Sequence, residues 1–162
     1  MIQRIQTVYL LLVAILSFVG LISQIGNYTL DEEVVATFSN FTFSSYGPCS
    51  SYQSAGPYAL GVLLLLVIFL SIMSIMLFHK RMRQLRLTII SSIFLVGYIV
   101  VYALFAYFYK ENIDIVLADA GPSAFHVRFV AVFPVLSLIL NIMAIHGIRK
   151  DEALVRSLDR LR

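Results

Sequence analysis

Residues 58–78 read YALGVLLLLVIFLSIMSIMLF, 21 positions without an Asp, Glu, Lys or Arg. The hydrocarbon layer of a bilayer is about 30 Å thick and takes about 20 residues of helix to cross. Inside such a layer every backbone amide must bond within its own segment, so the run reads as a helix despite its Ile, Val and Phe. Working outward, residues 7–25, 87–109 and 129–148 are uncharged runs of the same kind. The whole chain is 60% hydrophobic and 13% charged, against about 45–50% and about 25% for soluble domains. The expected fold class is therefore an all-α integral membrane protein, a four-transmembrane-helix bundle forming one domain over residues 1–162. So short a chain leaves no room for a separate soluble catalytic domain. The first run is read as an uncleaved span, because it outlasts the ~7–15 residue core of a signal peptide and has no small-x-small cleavage site. Pro134 should kink the fourth span, with Ser137 near enough to help the freed backbone.

The cations fix an orientation. Of 12 Lys and Arg, ten are Arg4, Lys80, Arg81, Arg83, Arg86, Arg149, Lys150, Arg156, Arg160 and Arg162, all on one side of any four-span topology. The other side has only Lys110 and Arg128, and its first loop carries Asp31, Glu32 and Glu33. The positive-inside rule places both termini and the middle turn in the cytoplasm. It also accounts for the +3 net charge without nucleic acid, since basic clusters beside spans meet anionic headgroups.

The first outer loop, residues 26–57, alternates Val34, Ala36, Phe38 against Val35, Thr37, Ser39, then Phe41, Phe43 against Thr42, Ser44. That period of two predicts a small β-hairpin turning at Ser39-Asn40 and ended by Gly47-Pro48 and Gly56-Pro57. It serves as a lid over the helix ends or as a docking surface. Two triplets, beginning at Asn27 and Asn40, match the N-glycosylation pattern, which matters only in a eukaryotic secretory pathway. The second outer loop, residues 110–128, has an apolar patch at Ile113, Ile115, Val116 and Leu117 and a Gly121-Pro122 turn, and is expected to pack back onto the first. In the tail, residues 149–162, Leu154, Val155, Leu158 and Leu161 share one helical face and Glu152, Arg156 and Arg160 another. This predicts a short C-terminal amphipathic helix supported by lipid or by a protein.

Chemistry is sparse. Ionisable groups at depth are the usual mark of a proton relay or coupled transporter, and the four runs contain no Asp, Glu, Lys or Arg. Among their polar residues, Ser17, Ser71, Ser74, Ser91, Ser92, Tyr98, Tyr102, Ser137 and Asn141 fit ordinary interhelical hydrogen bonding. Asn141 is the one that could also hold a headgroup or a quinone carbonyl. His79 and His146 lie near the inner surface and are candidates for a pair of axial haem ligands, against the plainer reading of polar tips at an interface. The lone Cys49 excludes an intrachain disulfide. No catalytic or metal site is read from the sequence, and no cofactor is expected.

The opening MIQRIQTVYLLLVAIL and the closing IRKDEALVRSLDRLR resemble the terminal signatures of a family of small four-helix inner-membrane proteins from Bacteroidetes, described only as a domain of unknown function. The resemblance covers the whole length and makes Gln3, Arg4, Lys150, Asp151, Arg156, Asp159 and Arg160 the motif positions. It implies a bacterial inner membrane, which makes the first loop periplasmic, and it implies no activity.

Specific ends around a chemically plain middle lead to the expectation of a non-catalytic accessory or scaffold subunit of a larger inner-membrane assembly. Contact candidates for a partner or for lipid are Arg4, Lys80, Arg81, Arg83, Arg86, Arg149, Lys150, Asp151, Arg156, Asp159 and Arg160. The partners are then membrane lipid and other inner-membrane proteins, and the chain is compatible with a homo-oligomer. The alternative is a lipid- or quinone-binding membrane protein, and the third reading is a small transporter or a haem-binding redox protein.

Overall fold

The computed structural model describes the chain except residues 1, 31–32, 51–54, 78–80, 118–120, 122 and 160–162, and leaves the side chains at 2–4, 48, 81 and 154–159 undescribed. Helix α1 spans Ile2–Ile22. It stops three residues short of the end of its apolar run. Ser23 still donates its N–H to the Val19 carbonyl at 3.2 Å, and the chain then enters β1, Gln24–Leu30, so Ile25 is a strand residue. The correction has a simple cause: Ile25 is buried in the core beneath the sheet, and hydropathy cannot distinguish that burial from lipid.

The expected hairpin is present as β2, Glu33–Ser39, and β3, Phe43–Ser45. Its turn is closed by the Ser39 N–H on the Thr42 carbonyl at 3.0 Å. After it come α2, Tyr58–Met76, and α3, Arg81–Val116. The 36 residues of α3 make a rod of about 54 Å at 1.5 Å per residue. The apolar patch expected in the second loop therefore belongs to the last turns of α3, where Ile113 is buried under the sheet and Ile115 stands exposed. The loop does fold back, as β4, Ala124–Val127. The antiparallel sheet runs β3-β2-β1-β4.

Register separates the two faces of the sheet. Val127, Gly26, Phe38 and Phe43 form one row across the strands, and Phe125, Tyr28, Ala36 and Ser45 the next on the same face. This face lies on α3: Tyr28 donates its hydroxyl to the Ala106 carbonyl at 2.8 Å, Tyr102 donates to the Ile25 carbonyl at 3.3 Å, and Phe43 stacks on Tyr109 at 4.3 Å. The intervening row, His126, Asn27, Thr37 and Ser44, is polar and belongs to the opposite face, because side chains alternate along a strand.

Helix α4, Phe133–Asp159, follows a 3-10 turn at Phe129–Val132. Pro134 is thus the second residue of α4 and not in its interior, and the first turn of a helix is where proline is best tolerated. The tail is likewise no separate helix. It continues α4 as far as Asp159, since nothing between Gly147 and Asp159 breaks the helix; the face expected of Leu154, Val155, Leu158 and Leu161 lies outside the described side chains.

Four segments, Ile5–Ile22, Tyr58–Met76, Met82–Val116 and Phe129–Ala153, are long and apolar enough to cross a membrane. At most 33% of any of them is buried, so their apolar side chains mostly face outward, as in helices that are hydrophobic all round. Inside, Val13, Val67 and Leu95 fill the middle of the bundle, and a larger core of Tyr28, Phe38, Leu60, Leu64, Tyr98 and Tyr109 joins it to the sheet.

Candidate functional site

Asn40, at the tip of the β2–β3 turn, is fully buried. It sits where three helices meet. Its Nδ2 donates to the Gly20 carbonyl at 2.7 Å and more weakly toward Leu21 at 3.5 Å. These are among the last carbonyls of α1, which have no partner within the helix. Its Oδ1 accepts the Tyr98 hydroxyl of α3 at 2.8 Å, and its main-chain carbonyl accepts the Gly61 N–H in the first turn of α2 at 3.2 Å. The adjacent Phe41 needs two glycines: a Cβ on Gly61 would overlap its ring, and one on Gly56 would overlap its carbonyl. The hairpin tip is therefore a plug seated in the bundle. Burial also removes Asn40 from any role as a glycan acceptor or an exposed labelling position.

A polar layer crosses the bundle below the plug. Asn141 is fully buried and donates Nδ2 to the Ser91 Oγ at 3.1 Å. Its Oδ1, and the hydroxyls of Ser17, Ser71 and Ser137, are buried without a hydrogen-bond partner among the described residues. Ser137 thus gives no support to the backbone near Pro134. Closer to the termini, Ser74 shares a hydrogen bond with Thr88 at 3.1 Å, and Thr88 donates to the Gln84 carbonyl at 2.9 Å.

At the end where both termini lie, Gln6 donates Nε2 to Asp151 Oδ2 at 2.8 Å, and both side chains are buried. The two terminal signatures thus meet. Asp151, expected to face a partner or lipid, is engaged inside the chain. Replacing Gln6 with Leu removes a donor from a buried carboxylate and should cost about 1–3 kcal/mol, measured as the loss in unfolding free energy in detergent. Unchanged stability would show that Asp151 does not depend on it.

The remaining sequence candidates are dispersed. Arg83, Arg86, Arg149 and Lys150 are exposed at the same end of the bundle. His146 is exposed rather than turned inward. His79, Lys80 and Arg160 lie outside the described residues, as do the side chains of Arg4, Arg81, Arg156 and Asp159. No axial histidine pair is therefore assembled among the described residues, nor any group of three His, Cys, Asp or Glu able to hold a metal. Sequence reasoning missed Asn40 and Gln6 as organising residues. The available signal was an amide side chain at each of two places where apolar segments must converge.

Residues 2–161 match the family model described as Domain of unknown function (DUF4293). A comparison with curated proteins found no match.

Proposed function

Since the chain belongs to the DUF4293 family, whose description assigns no activity, we propose from its geometry that it is a non-catalytic scaffold or accessory subunit. In this reading it crosses a bacterial inner membrane four times, with the termini in the cytoplasm and the sheet in the periplasm. The observation that carries the proposal is the Asn40 junction, which joins sheet and helices into one unit. Such a body suits the display of a fixed surface better than the alternating movements of a transporter. The display surface is the polar row His126, Asn27, Thr37 and Ser44 together with the outer edge of β4.

Sidedness is tested by thiol labelling. Cys49 is buried, and burial pushes its thiol above the usual range, so reactive thiolate is scarce. Native Cys49 is expected to resist maleimide at pH 8 until the chain is unfolded; rapid labelling of the folded chain would contradict its burial. In a C49S background, V34C should react only from the periplasm and R83C only from the cytoplasm, both positions being exposed. Reaction from one shared face would overturn the topology. For the scaffold role, a photo-crosslinker at His126 should capture one membrane protein at fixed stoichiometry in native membranes, and N40L, which unseats the plug, should abolish the capture. Recovery of the chain alone after gentle extraction would refute it.

A second reading, lipid or quinone binding, is favoured by the unpaired Asn141 oxygen. As placed, that atom is an acceptor, so a ligand there must donate, which fits a hydroxyl better than a quinone carbonyl. Without such a ligand, N141L should change stability by no more than about 1 kcal/mol. With one, native mass spectrometry should show a small bound mass that N141L loses.

A further inference from the structure

We propose that the middle of the bundle is a site for bound water, held among residues of all four helices. Asn141 carries the argument. Its Nδ2 is engaged on the Ser91 Oγ at 3.1 Å, while its Oδ1 is buried and meets no donor among the described residues. The hydroxyls of Ser17, Ser71 and Ser137 are buried in the same condition. The register of the helices brings these groups to one place. Ser74 and Thr88 lie level, since they share a hydrogen bond at 3.1 Å. One turn nearer the sheet on those two antiparallel helices stand Ser71 and Ser91, the latter bonded to Asn141. Ser137 lies one turn from Asn141 on the same face of α4. Between α1 and α4, a Cβ on Gly147 would lie 3.0 Å from the Gln6 Cγ, so these two positions are level. Moving toward the sheet from them by about 16 Å along α1 and about 15 Å along α4, at 1.5 Å per residue, reaches Ser17 and Ser137.

The chemistry of the set selects its ligand. A serine within a helix can turn its hydroxyl to the carbonyl four residues back, as Ser92 does to Thr88 at 3.0 Å. Ser17, Ser71 and Ser137 do not, and the Asn141 Oδ1 has no such recourse because it only accepts. A buried polar group without a partner is costly, and four of them in one layer need a partner that both donates and accepts. Water does both, and a buried water typically makes about three hydrogen bonds. One molecule donating to the Asn141 Oδ1 can accept from Ser137 or Ser71, and a second can join Ser17 to Ser137 across the α1–α4 seam. A quinone carbonyl brings only another acceptor. A lipid hydroxyl would have to carry its chains between helices where Val13, Val67 and Leu95, each one turn from Ser17, Ser71 or Ser91, are packed with no exposed surface.

This inference rests on the unpaired Asn141 oxygen of the second reading above, for which it names water as the donor, and not on the scaffold role. It is tested on the full-length chain in lipid nanodiscs, by nuclear magnetic resonance transfer of magnetisation from water to the Asn141 side-chain amide, identified as the signal that N141L lacks. Transfer is expected there and not at the methyl groups of Ile93, which is exposed on the outside of the bundle. Its absence at Asn141 would overturn the site. A second arm uses stability in detergent. S71A and S137A each take one partner from the water and should each raise the unfolded-to-folded ratio about fivefold, or about 1 kcal/mol. In a dry layer each alanine would instead remove a stranded hydroxyl and stabilise the chain, and if the serines were bonded to their own helices stability would not change. Either result would overturn the proposal. Alanine suits a helix interior, and resistance of Cys49 to maleimide reports that each variant is folded. A small hydrophobic mass retained in native mass spectrometry and lost in N141L would overturn water in favour of an amphiphile and leave the second reading standing, so the two fail separately.

Discussion

N40L is expected to destabilise the folded chain by about 2–6 kcal/mol, because it strands the Gly20 carbonyl and the Tyr98 hydroxyl in a buried place at about 1–3 kcal/mol each. Neither group can reach water, since Asn40 is completely enclosed and Tyr98 nearly so. Y98F removes one partner only and leaves the Asn40 oxygen unpaired, so its expected cost is about 1–3 kcal/mol. The two substitutions share one hydrogen bond, and their combined loss should fall well below the sum of the single losses. Reversible unfolding in mixed micelles measures all three variants. Additive losses, or an N40L chain as stable as the original, would mean that the hairpin tip is not anchored as described.

The second large effect concerns the space around Phe41. G61A should lose roughly 1–3 kcal/mol from overpacking, because the new methyl group meets the Phe41 ring. G56A should lose more, since its methyl group meets the Phe41 carbonyl and a main-chain atom cannot swing aside. The distinguishing test is F41A, which removes the ring and keeps the carbonyl. It should restore much of the stability lost in G61A and none of that lost in G56A. If both glycine variants respond alike to F41A, the packing described here is wrong at one of the two positions.

These residues also show what the sequence conveys and what it hides. The four helices could be read because the absence of charge over about 20 residues reports the solvent of a segment directly. Their ends could not. Helix α3 runs on through Lys110 and Glu111, which stand exposed, while Ile113 packs against the sheet, Asn112 donates back to the Phe108 carbonyl and Asp114 accepts the N–H and hydroxyl of Ser123 at 2.8 and 2.6 Å. Helix α4 likewise continues past Arg149 and Lys150, which stand exposed. The β2–β3 hairpin was legible from its alternation and its turn; the second loop does return, but the apolar residues from which this was expected belong mostly to the end of α3. Strand β1 was hidden by its continuity with the first apolar run, and β4 by having only four residues. The Asn40 junction was beyond sequence reasoning because its side-chain partners are 20 and 58 positions away. At the other end of the bundle, Gln6 and Asp151 are 145 positions apart, although both terminal stretches stood out by family likeness.

The distance along the chain from Asn40 to Tyr98 also imposes an order on biogenesis. When the hairpin leaves the ribosome, the hydroxyl that completes its anchorage has not been synthesised, and β4, which closes the β1 side of the sheet, follows later still. The early strands must therefore wait for the third helix to seat the hairpin tip, and β1 stays unpaired on one flank until β4 follows. A chain interrupted before Tyr98 would keep an open sheet edge and an unseated tip, features by which a quality-control protease can tell an unfinished product from a finished one.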